Sequence, residues 1–352
     1  MKDQAIQYLA MDVHQATIVA CVRDDRGAIT MRATVSTEAR AILSLVRGAG
    51  SRVHVAFEEG TRAQWLHEPH VERVVVCNVR GKSEVSNKSD RLDAEQLSEQ
   101  LRVGSLKTVY HGSSSVLTLK ELVRNYNSLV EDATRVMLRI KALFRARAIR
   151  TPGRSVYSSS RRKEWLDQLQ TPGARVRAAS LLTQLDLLLE LRPKAKTAMI
   201  AEARKQPGWK SLRSIPFLGV VRVAQLLAIM ATPHRFRTKR NLWPYAGLAV
   251  VTRSSADQEF ADGKLRRRNR APRTRGLNRN HNPVLKSIFK GAATAAAAKA
   301  GPLQDLYEAC IARGTKPELA KVTLARKIAS IALRLWKKGE LWDPDKLTMQ
   351  TT

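Results

Sequence analysis

The sequence predicts an α/β N-terminal domain, followed by a helical coiled-coil arm and an all-α C-terminal domain. Three patterns in the 352 residues lead to this division. Residues 1–104 alternate between short β-branched runs and amphipathic stretches, whereas residues 105–205 carry a long heptad pattern. Residues 206–352 consist of apolar helical stretches around a polar, basic segment. The division therefore rests on a change of hydrophobic period along the chain.

The first domain is predicted to contain a meander of three strands and then helices that alternate with two more strands. The predicted elements are the strands Gln7–Val13, Thr17–Arg23 and Ala28–Val35, a helix from a Thr37 cap to about Arg47, the strand Arg52–Phe57, a short helix Thr61–His67, the strand Val71–Val79, and a helix from a Ser89 cap to Gly104. A meander followed by parallel crossovers predicts a mixed sheet with helices packed on it.

The arm is predicted from apolar residues that recur at alternating steps of three and four from Leu119 to Leu143. A second helical stretch covers about Arg175–Lys205, with a break expected near Pro193. The seam could be buried by a second copy of the chain or by a bundle folded back on itself, and the pattern alone does not decide.

The C-terminal domain is predicted to be entirely helical. Its predicted helices are Val221–Met230, Lys239–Gly247, Pro283–Lys299, Pro302–Arg313 and Pro317–Lys338. Cysteine usage fits a reducing compartment, because the three cysteines form no CxxC pair. The first residues do not resemble a signal peptide, and no apolar run reaches about 18 residues. We therefore expect a cytoplasmic protein without a membrane partner.

Charge is distributed unevenly along the chain. The net charge is +31, yet residues 1–100 carry −1 and the remainder carries +32. A field of this size indicates a polyanionic partner rather than a small acidic metabolite. The densest segment lies inside the third domain and suits phosphate contacts, although it could also be a flexible solvated stretch. Its candidate nucleic-acid-binding residues are Lys264, Arg266, Arg267, Arg268, Arg270, Arg273, Arg275 and Arg279.

Four carboxylates form the first candidate site. Asp12 and Glu58 end predicted strands, with Glu59 beside the latter, and Asp90 and Asp93 share one face of a predicted helix. An α/β sheet can gather such residues at one edge, where carboxylates repel one another unless a divalent cation lies between them. Mg²⁺ prefers these oxygen ligands and could position a phosphate for cleavage. The alternative is that each carboxylate is simply solvated.

A serine pair forms the second candidate site. Ser254 and Ser255 follow the segment Trp243–Leu248 and precede the basic segment. A serine hydroxyl can attack phosphorus and form a covalent phosphoserine that keeps the bond energy for rejoining. The alternative is an ordinary turn or helix cap.

These motifs together resemble the DEDD-type transposases of insertion-sequence family 110. Tyr8–Asp12 and Val55–Glu58 resemble the family's first two motifs, and Asn87–Ala94 is similar to the third. Ile215–Gly219 resembles the helix–hairpin–helix-like turn of the family, and Tyr245–Ser255 resembles the segment that bears its catalytic serine. The resemblance covers nearly the whole chain. The sequence departs from the family at Pro-Phe-Leu-Gly in the turn and at Ala256 after the serine.

The resemblance implies a specific fold and mechanism. The first domain would be RuvC-like, with an RNase H-like fold that binds Mg²⁺ through Asp12, Glu58, Asp90 and Asp93. Ser255 would be the nucleophile, in a composite site with another protomer of a homodimer or tetramer. Family members use a structured noncoding bridge RNA that pairs with target and donor DNA, so RNA and DNA are both expected partners. The glutamate ligand could also be Glu59.

Three rival functions remain open at the level of the sequence. A site-specific DNA invertase without a guide RNA shares these motifs. A metal-dependent junction nuclease would use the carboxylates while Ser255 is structural. A non-enzymatic nucleic-acid-binding protein would leave the carboxylates solvated. A covalent protein–DNA adduct separates a recombinase from a junction nuclease. Copurifying RNA separates a guided recombinase from an invertase without a guide. An effect of Mg²⁺ on activity or thermal stability separates an enzyme from a non-enzymatic binding protein.

Overall fold

The protein divides into two compact units, Met1–His111 and Gly112–Thr352. The structure is a computed structural model, and it describes residues 5–58, 71–77, 90–106, 114–253, 258–261, 264–267 and 273–348. The predicted succession of a mixed α/β domain and a helical region is confirmed. The predicted domain boundaries, 1–104 for the first domain, 105–205 for the arm and 206–352 for the C-terminal domain, stay a prediction.

The first unit is a five-stranded mixed sheet. Its elements are β1 (Gln7–Val13), β2 (Thr17–Arg23), β3 (Ile29–Ser36), α1 (Ala39–Ala49), β4 (Val53–Glu58), β5 (Val71–Cys77) and α2 (Asp90–Arg102). The strand order is β3-β2-β1-β4-β5, with antiparallel pairs in the β1–β3 meander and parallel pairs among β1, β4 and β5. The predicted meander and crossovers are therefore confirmed, and β1 lies at the centre of the sheet.

Strand alternation gives the sheet two buried faces. Leu9 and Met11 of β1 belong to a core that includes Ile42 of α1. Ala10, one position along, packs in a second cluster with Leu97 and Leu101 of α2. Even-numbered residues of β1 therefore face α2, and this sets the direction of Asp12.

Two expectations for this unit have different outcomes. Thr37 does not cap α1, because the N-cap residue is Glu38 and the Thr37 hydroxyl donates to the His14 carbonyl oxygen at 3.1 Å. That bond ties the start of the helix to the loop after β1, which satisfies the hydroxyl in another way. The predicted helix Thr61–His67 and the Ser89 cap lie outside the described residues.

The second unit is mainly helical. Its elements are α3 (Ser114–Arg145), α4 (Arg162–Asp167), α5 (Pro172–Arg204), α6 (Trp209–Ser214), α7 (Val220–Met230), α8 (Lys239–Tyr245), β6 (Val250–Arg253), β7 (Gln258–Ala261), β8 (Lys264–Arg267), β9 (Arg273–Leu277), α9 (Pro283–Ala297), α10 (Pro302–Ala312), α11 (Pro317–Lys338) and α12 (Asp345–Thr348). The predicted C-terminal helices agree with these bounds to within a few residues.

The heptad seam of α3 is buried within the chain itself. Val136 and Ile140 pack against Leu182 and Leu185 of α5, and all four are at most 1% exposed. This arrangement favours the folded-back bundle over a seam closed by a second copy. The predicted break near Pro193 is wrong, because α5 continues through it. Buried residues on both sides of Pro193 outweigh the roughly 3 kcal/mol that proline costs inside a helix.

The expectation of an entirely helical C-terminal domain fails in the basic segment. Strands β6 and β9 pair antiparallel, and so do β7 and β8. Charged residues can occupy two-stranded ribbons because their side chains project into solvent, so a polar composition does not exclude strands. Within the described residues, no helix is long and apolar enough to cross a membrane.

Candidate metal centre and serine-bearing segment

Asp12 lies next to the last residue of the central strand β1. Its position on the α2 face follows from strand alternation, since Ala10 on the same face is fully buried against α2. The Asp12 side chain is only 18% exposed. A carboxylate with this little contact with water needs compensation from neighbouring charges or ligands.

Helix α2 brings two more carboxylates to this edge. Asp90 is its first residue and Asp93 follows in the same turn, so both lie at the N-terminal end of α2. The Asp90 side chain is 60% exposed, in contrast to Asp12. Acidic residues in the first turn of a helix are also favoured by the helix dipole, which offsets part of their mutual repulsion.

His14 joins the two carboxylates and was not predicted from the sequence. Its Nε2 lies 3.3 Å from Asp12 Oδ2 and 3.2 Å from Asp90 Oδ2. These three residues offer ligand atoms that all lie within 4.8 Å of one another, which is close enough to hold one metal ion. The i, i+2 spacing of Asp12 and His14 at a strand end was the signal available in the sequence, because it places both on one face.

The loop that carries His14 is fixed by its backbone. The His14 amide donates to the Thr17 carbonyl at 2.9 Å, and the His14 carbonyl accepts from the Thr37 hydroxyl. The imidazole is therefore presented from a tight turn between β1 and β2.

Electrostatics at Asp12 indicate a site that favours a cation. Burial raises the pKa of the Asp12 carboxyl above its ordinary value, His14 lowers it, and Asp90 and Asp93 raise it again. Asp93 is thus close enough to act on Asp12. The ionised form, which a hard cation requires, becomes more favourable when positive charge is bound.

Glu58 is the last residue of β4 and lies on the same face of the sheet as Asp12. The parallel register pairs Met11 with Phe57, so the next residues on the two strands stand side by side. The Glu58 side chain is exposed. The close cluster of the described residues contains Asp12, His14 and Asp90, and does not include Glu58 or Asp93. Glu59 lies outside the described residues.

A cleft of about 580 Å³ borders Asp90 on the β2–β3 side of α2. Arg32 and Arg91 line it, and both donate to one carboxylate oxygen of Glu95, at 2.8 and 3.1 Å. These two arginines place positive charge beside the carboxylate cluster, in a position suited to an anionic chain.

The predicted nucleophile Ser255, with Ser254, lies outside the described residues, but the segment before it is well anchored. Gly247 has φ of +65°, and a methyl group there would lie 2.5 Å from the His281 ring. Leu248 is fully buried, and its carbonyl accepts a bond from Arg326 Nε at 2.6 Å. The chain therefore enters β6 from a fixed turn.

Six of the eight predicted nucleic-acid-binding residues are among the described residues, and they lie on the strand ribbons or just after them. Lys264 and Arg266 are exposed on β8, and Arg279 is exposed after β9. Arg267 lies on β8, and Arg273 and Arg275 lie on β9. Arg268 and Arg270 lie outside the described residues. The ribbon thus spaces positive charge along an extended backbone, which suits contacts to successive phosphates.

Two family models match the chain. A model of DEDD transposases of the IS110 type, described as Transposase, matches residues 9–146. A second model, described as Transposase IS116/IS110/IS902 family, matches residues 210–308. Together they match roughly two thirds of the chain. No curated protein gives a significant match.

Proposed function

The chain belongs to the IS110 family of DEDD transposases, and we propose that it cuts and rejoins DNA strands with a metal-bound carboxylate centre and a serine nucleophile, guided by a structured RNA. The family makes it a transposase or recombinase, with DNA as its substrate. The observation that carries the proposal is the grouping of Asp12, His14 and Asp90 within the segment that the DEDD model matches.

The carboxylate centre fits a divalent metal by the chemistry of its donors. The proposed ligands are Asp12, Glu58, Asp90 and Asp93. Asp90 and Asp93 both raise the pKa of Asp12, and Glu58 lies on the same face of the sheet as Asp12. Oxygen donors of this kind suit Mg²⁺, which would stabilise negative charge on a phosphate when bound. His14, whose Nε2 lies within 3.3 Å of both carboxylates, would orient Asp12 and Asp90.

Ser255 carries the proposed covalent step. Its Oγ attacks the scissile phosphorus and gives up its proton, while the bond from phosphorus to the departing strand oxygen breaks and that oxygen takes a proton. The phosphoserine ester keeps the energy of the broken bond. A hydroxyl of the second strand then attacks this ester and releases Ser255, so the exchange needs no external energy source.

Nucleic-acid binding is proposed for the basic second unit. The strand ribbons with Lys264, Arg266 and Arg279 would contact phosphates, and RNA would be held mainly through its backbone and shape. The sheet order β3-β2-β1-β4-β5 supports an RNase H-like fold for the first unit. We propose a homodimer or tetramer in which the serine of one protomer meets the carboxylates of another.

The decisive experiment measures strand exchange and covalent adducts on donor and target DNA with Mg²⁺ and the native RNA. Asp12→Asn should lower exchange by roughly 10³-fold, the scale of several kcal/mol of metal stabilisation. Ser255→Ala should abolish the protein–DNA adduct. Asp167→Asn, at an exposed residue of α4, and Ser254→Ala are matched controls that should keep activity. Full activity of Asp12→Asn or Ser255→Ala would refute the mechanism.

Two related functions predict other results in the same assay. A junction nuclease would cleave without an adduct, and Ser255→Ala would remain active. An invertase without a guide would exchange strands in a preparation from which all RNA has been removed. Family membership speaks against the non-enzymatic binding protein, which would show no chemistry at all.

A further inference from the structure

A basic groove lies between α8 and α11 in the second unit, well away in sequence from the basic segment 264–279. We call it the α8–α11 groove. Its volume is about 690 Å³, which is in the range of ligand clefts. Seven of the thirteen described residues that line it are lysine or arginine, and none of these thirteen is acidic. Five of these seven cations are Lys239, Arg326, Lys327, Arg334 and Lys337.

One wall of the groove is a polar stripe along α11. Thr323, Lys327, Ser330, Arg334 and Lys337 follow one another at steps of four and three, so they share one face of the helix. Leucine and alanine of the same helix occupy the opposite, buried face. The amphipathic pattern of α11 thus turns a cationic face, rather than a mixed one, toward the groove.

Two of the cations donate hydrogen bonds to backbone carbonyls of the chain and so form part of the groove wall. Arg326 Nε donates to the Leu248 carbonyl, and the Trp243 indole Nε1 donates to the Arg326 carbonyl at 3.3 Å. Lys337 Nζ donates to the carbonyls of Phe236 and Arg237 at 2.6 and 3.1 Å. These bonds connect α11 to α8 and to the chain on either side of it, so the groove has a preformed shape.

The other cations concentrate positive charge. Lys239 and Arg334 are exposed, and Lys327 is partly buried between them. Burial lowers the pKa of the Lys327 ammonium, and the neighbouring Lys239 and Arg334 lower it further. Positive charges held together in this way repel one another, and a bound anion would remove that cost.

An aromatic ring completes the wall. The Trp243 ring lies 5.9 Å from Lys239 Nζ and 5.8 Å from the guanidinium carbon of Arg326. A tryptophan among cations is typical of surfaces that bind a nucleic-acid strand, because the charges meet phosphates and the ring meets sugars or bases. A single small anion would use only one or two of these groups.

We infer that the α8–α11 groove binds the phosphodiester backbone of a nucleic-acid strand. The inference rests on the proposed function, which supplies both DNA and RNA, and adds a second contact surface to the strand ribbons. Arg326 also holds Leu248, seven residues before Ser255, so the groove shares a wall with the serine-bearing segment.

The test is equilibrium binding of the full-length protein to single-stranded and duplex oligonucleotides of about 20 units, as DNA and as RNA. EDTA is present throughout, so that no strand is cut. The groove variant is Lys239→Gln with Arg334→Gln. Loss of two phosphate contacts should reduce the slope of log affinity against log salt by about 2 and weaken binding by roughly tenfold at about 0.15 M salt.

The matched control is Arg139→Gln with Lys196→Gln, which removes two exposed positive charges from α3 and α5. It should change affinity by less than about threefold. Lys239→Arg with Arg334→Lys keeps the charge and should restore binding. A larger loss with one of the oligonucleotides identifies the strand that occupies the groove.

Two results would overturn the inference. One is unchanged affinity and salt slope of the groove variant with every oligonucleotide, and the other is an equal loss in the control variant. Neither result bears on the chemistry, because the assay contains no divalent metal. Conversely, a wild-type protein that fails to exchange strands in Mg²⁺ would refute the proposed function without altering these affinities.

Discussion

The two compact units concentrate charge of opposite sign by different means. In the first unit, a strand end and a helix start bring the carboxylates of Asp12 and Asp90 together around His14. In the second unit, α8 and α11 bring Lys239 and Arg334 together beside a partly buried lysine. Like charges repel in each arrangement, and a bound ion of opposite sign would offset that repulsion.

The pKa shifts show the same contrast at single groups. Burial and nearby carboxylates raise the pKa of Asp12, and burial and nearby cations lower the pKa of Lys327. Both shifts disfavour the charged form of the group. A bound cation in the first unit and a bound polyanion in the second would each reverse the corresponding shift. This contrast accords with the proposed assignment of a metal to the first unit and of phosphate binding to the second.

The largest effect that tests this assignment concerns the two adjacent glutamates. Glu58→Gln should lower strand exchange by roughly 10³-fold, because Glu58 shares the face of Asp12 and would lose a charged metal ligand. Glu59→Gln should change it by less than about threefold, because the alternation of side chains along a strand predicts from the sequence that adjacent residues face opposite sides. Strand-exchange rates at saturating Mg²⁺ measure both.

Oligonucleotide affinity is the second readout for this pair, and it should stay constant in both glutamine variants. If Glu59→Gln shows the larger loss of activity, the metal ligand is Glu59 and not Glu58. A loss of affinity in Glu58→Gln that matches its loss of activity would mean that the first unit acts by binding nucleic acid, and the contrast between the units would fail.

The fold of the first unit could be predicted because its signals are local. Strand bounds at Gln7–Val13 and Thr17–Arg23 follow from apolar alternation, and the meander follows from short turns between them. Helix α5 was mispredicted at Pro193, because the burial of Met199 depends on partners that are distant in sequence. The strands β7 and β8 were missed although Asp-Gly, a common hairpin turn, separates them in the sequence.

The candidate sites were only partly predictable for a similar reason. Asp12 and Asp90 were predicted as acidic residues at the ends of elements. The position of the His14 side chain depends instead on a turn whose backbone is held by Thr37 and Thr17. The α8–α11 groove joins residues about 90 positions apart, and no local motif marks it. Long-range packing therefore decides what the sequence pattern leaves open.

An intermediate effect is expected at the serine-bearing segment. Gly247→Ala adds a methyl group that meets the His281 ring at 2.5 Å, in addition to the strain of a left-handed backbone. Overpacking of this kind costs about 1–3 kcal/mol, so the free energy of unfolding should fall by that amount beyond the cost of the backbone strain. Gly314→Ala is the matched control, because its φ is +81° and no atom lies within 4 Å of the new methyl group.

Denaturant unfolding measures the difference between these two alanine variants. Mg²⁺ binding, followed by calorimetry, should be unchanged in both, because the substitutions lie in the second unit. Equal destabilisation would show that backbone strain alone matters at Gly247. A loss of Mg²⁺ binding in Gly247→Ala would contradict the separation of metal and serine functions between the units.

The smallest effect concerns the ion pairs beside Asp90. Hydrogen bonds from Arg32 and then Arg91 lower the pKa of Glu95 below its ordinary value of 4.5. A carboxyl whose pKa is lowered by folding stabilises the protein above its unfolded pKa, and this contribution disappears as the pH falls through its folded pKa. Glu95→Gln should therefore lower the free energy of unfolding at neutral pH by less than about 1 kcal/mol, and by progressively less at pH values below about 4.5.

The control for this last prediction is Glu190→Gln in the second unit. The pKa of Glu190 is also lowered, first by its hydrogen bond with Lys194, but this pair lies within one exposed helix. Glu95 instead joins β3 to α2, so its removal also frees Arg91 next to Asp90. Urea unfolding across a pH series should show the larger change for Glu95→Gln. Equal changes would mean that the bridge between sheet and helix does not help to position α2 and its carboxylates.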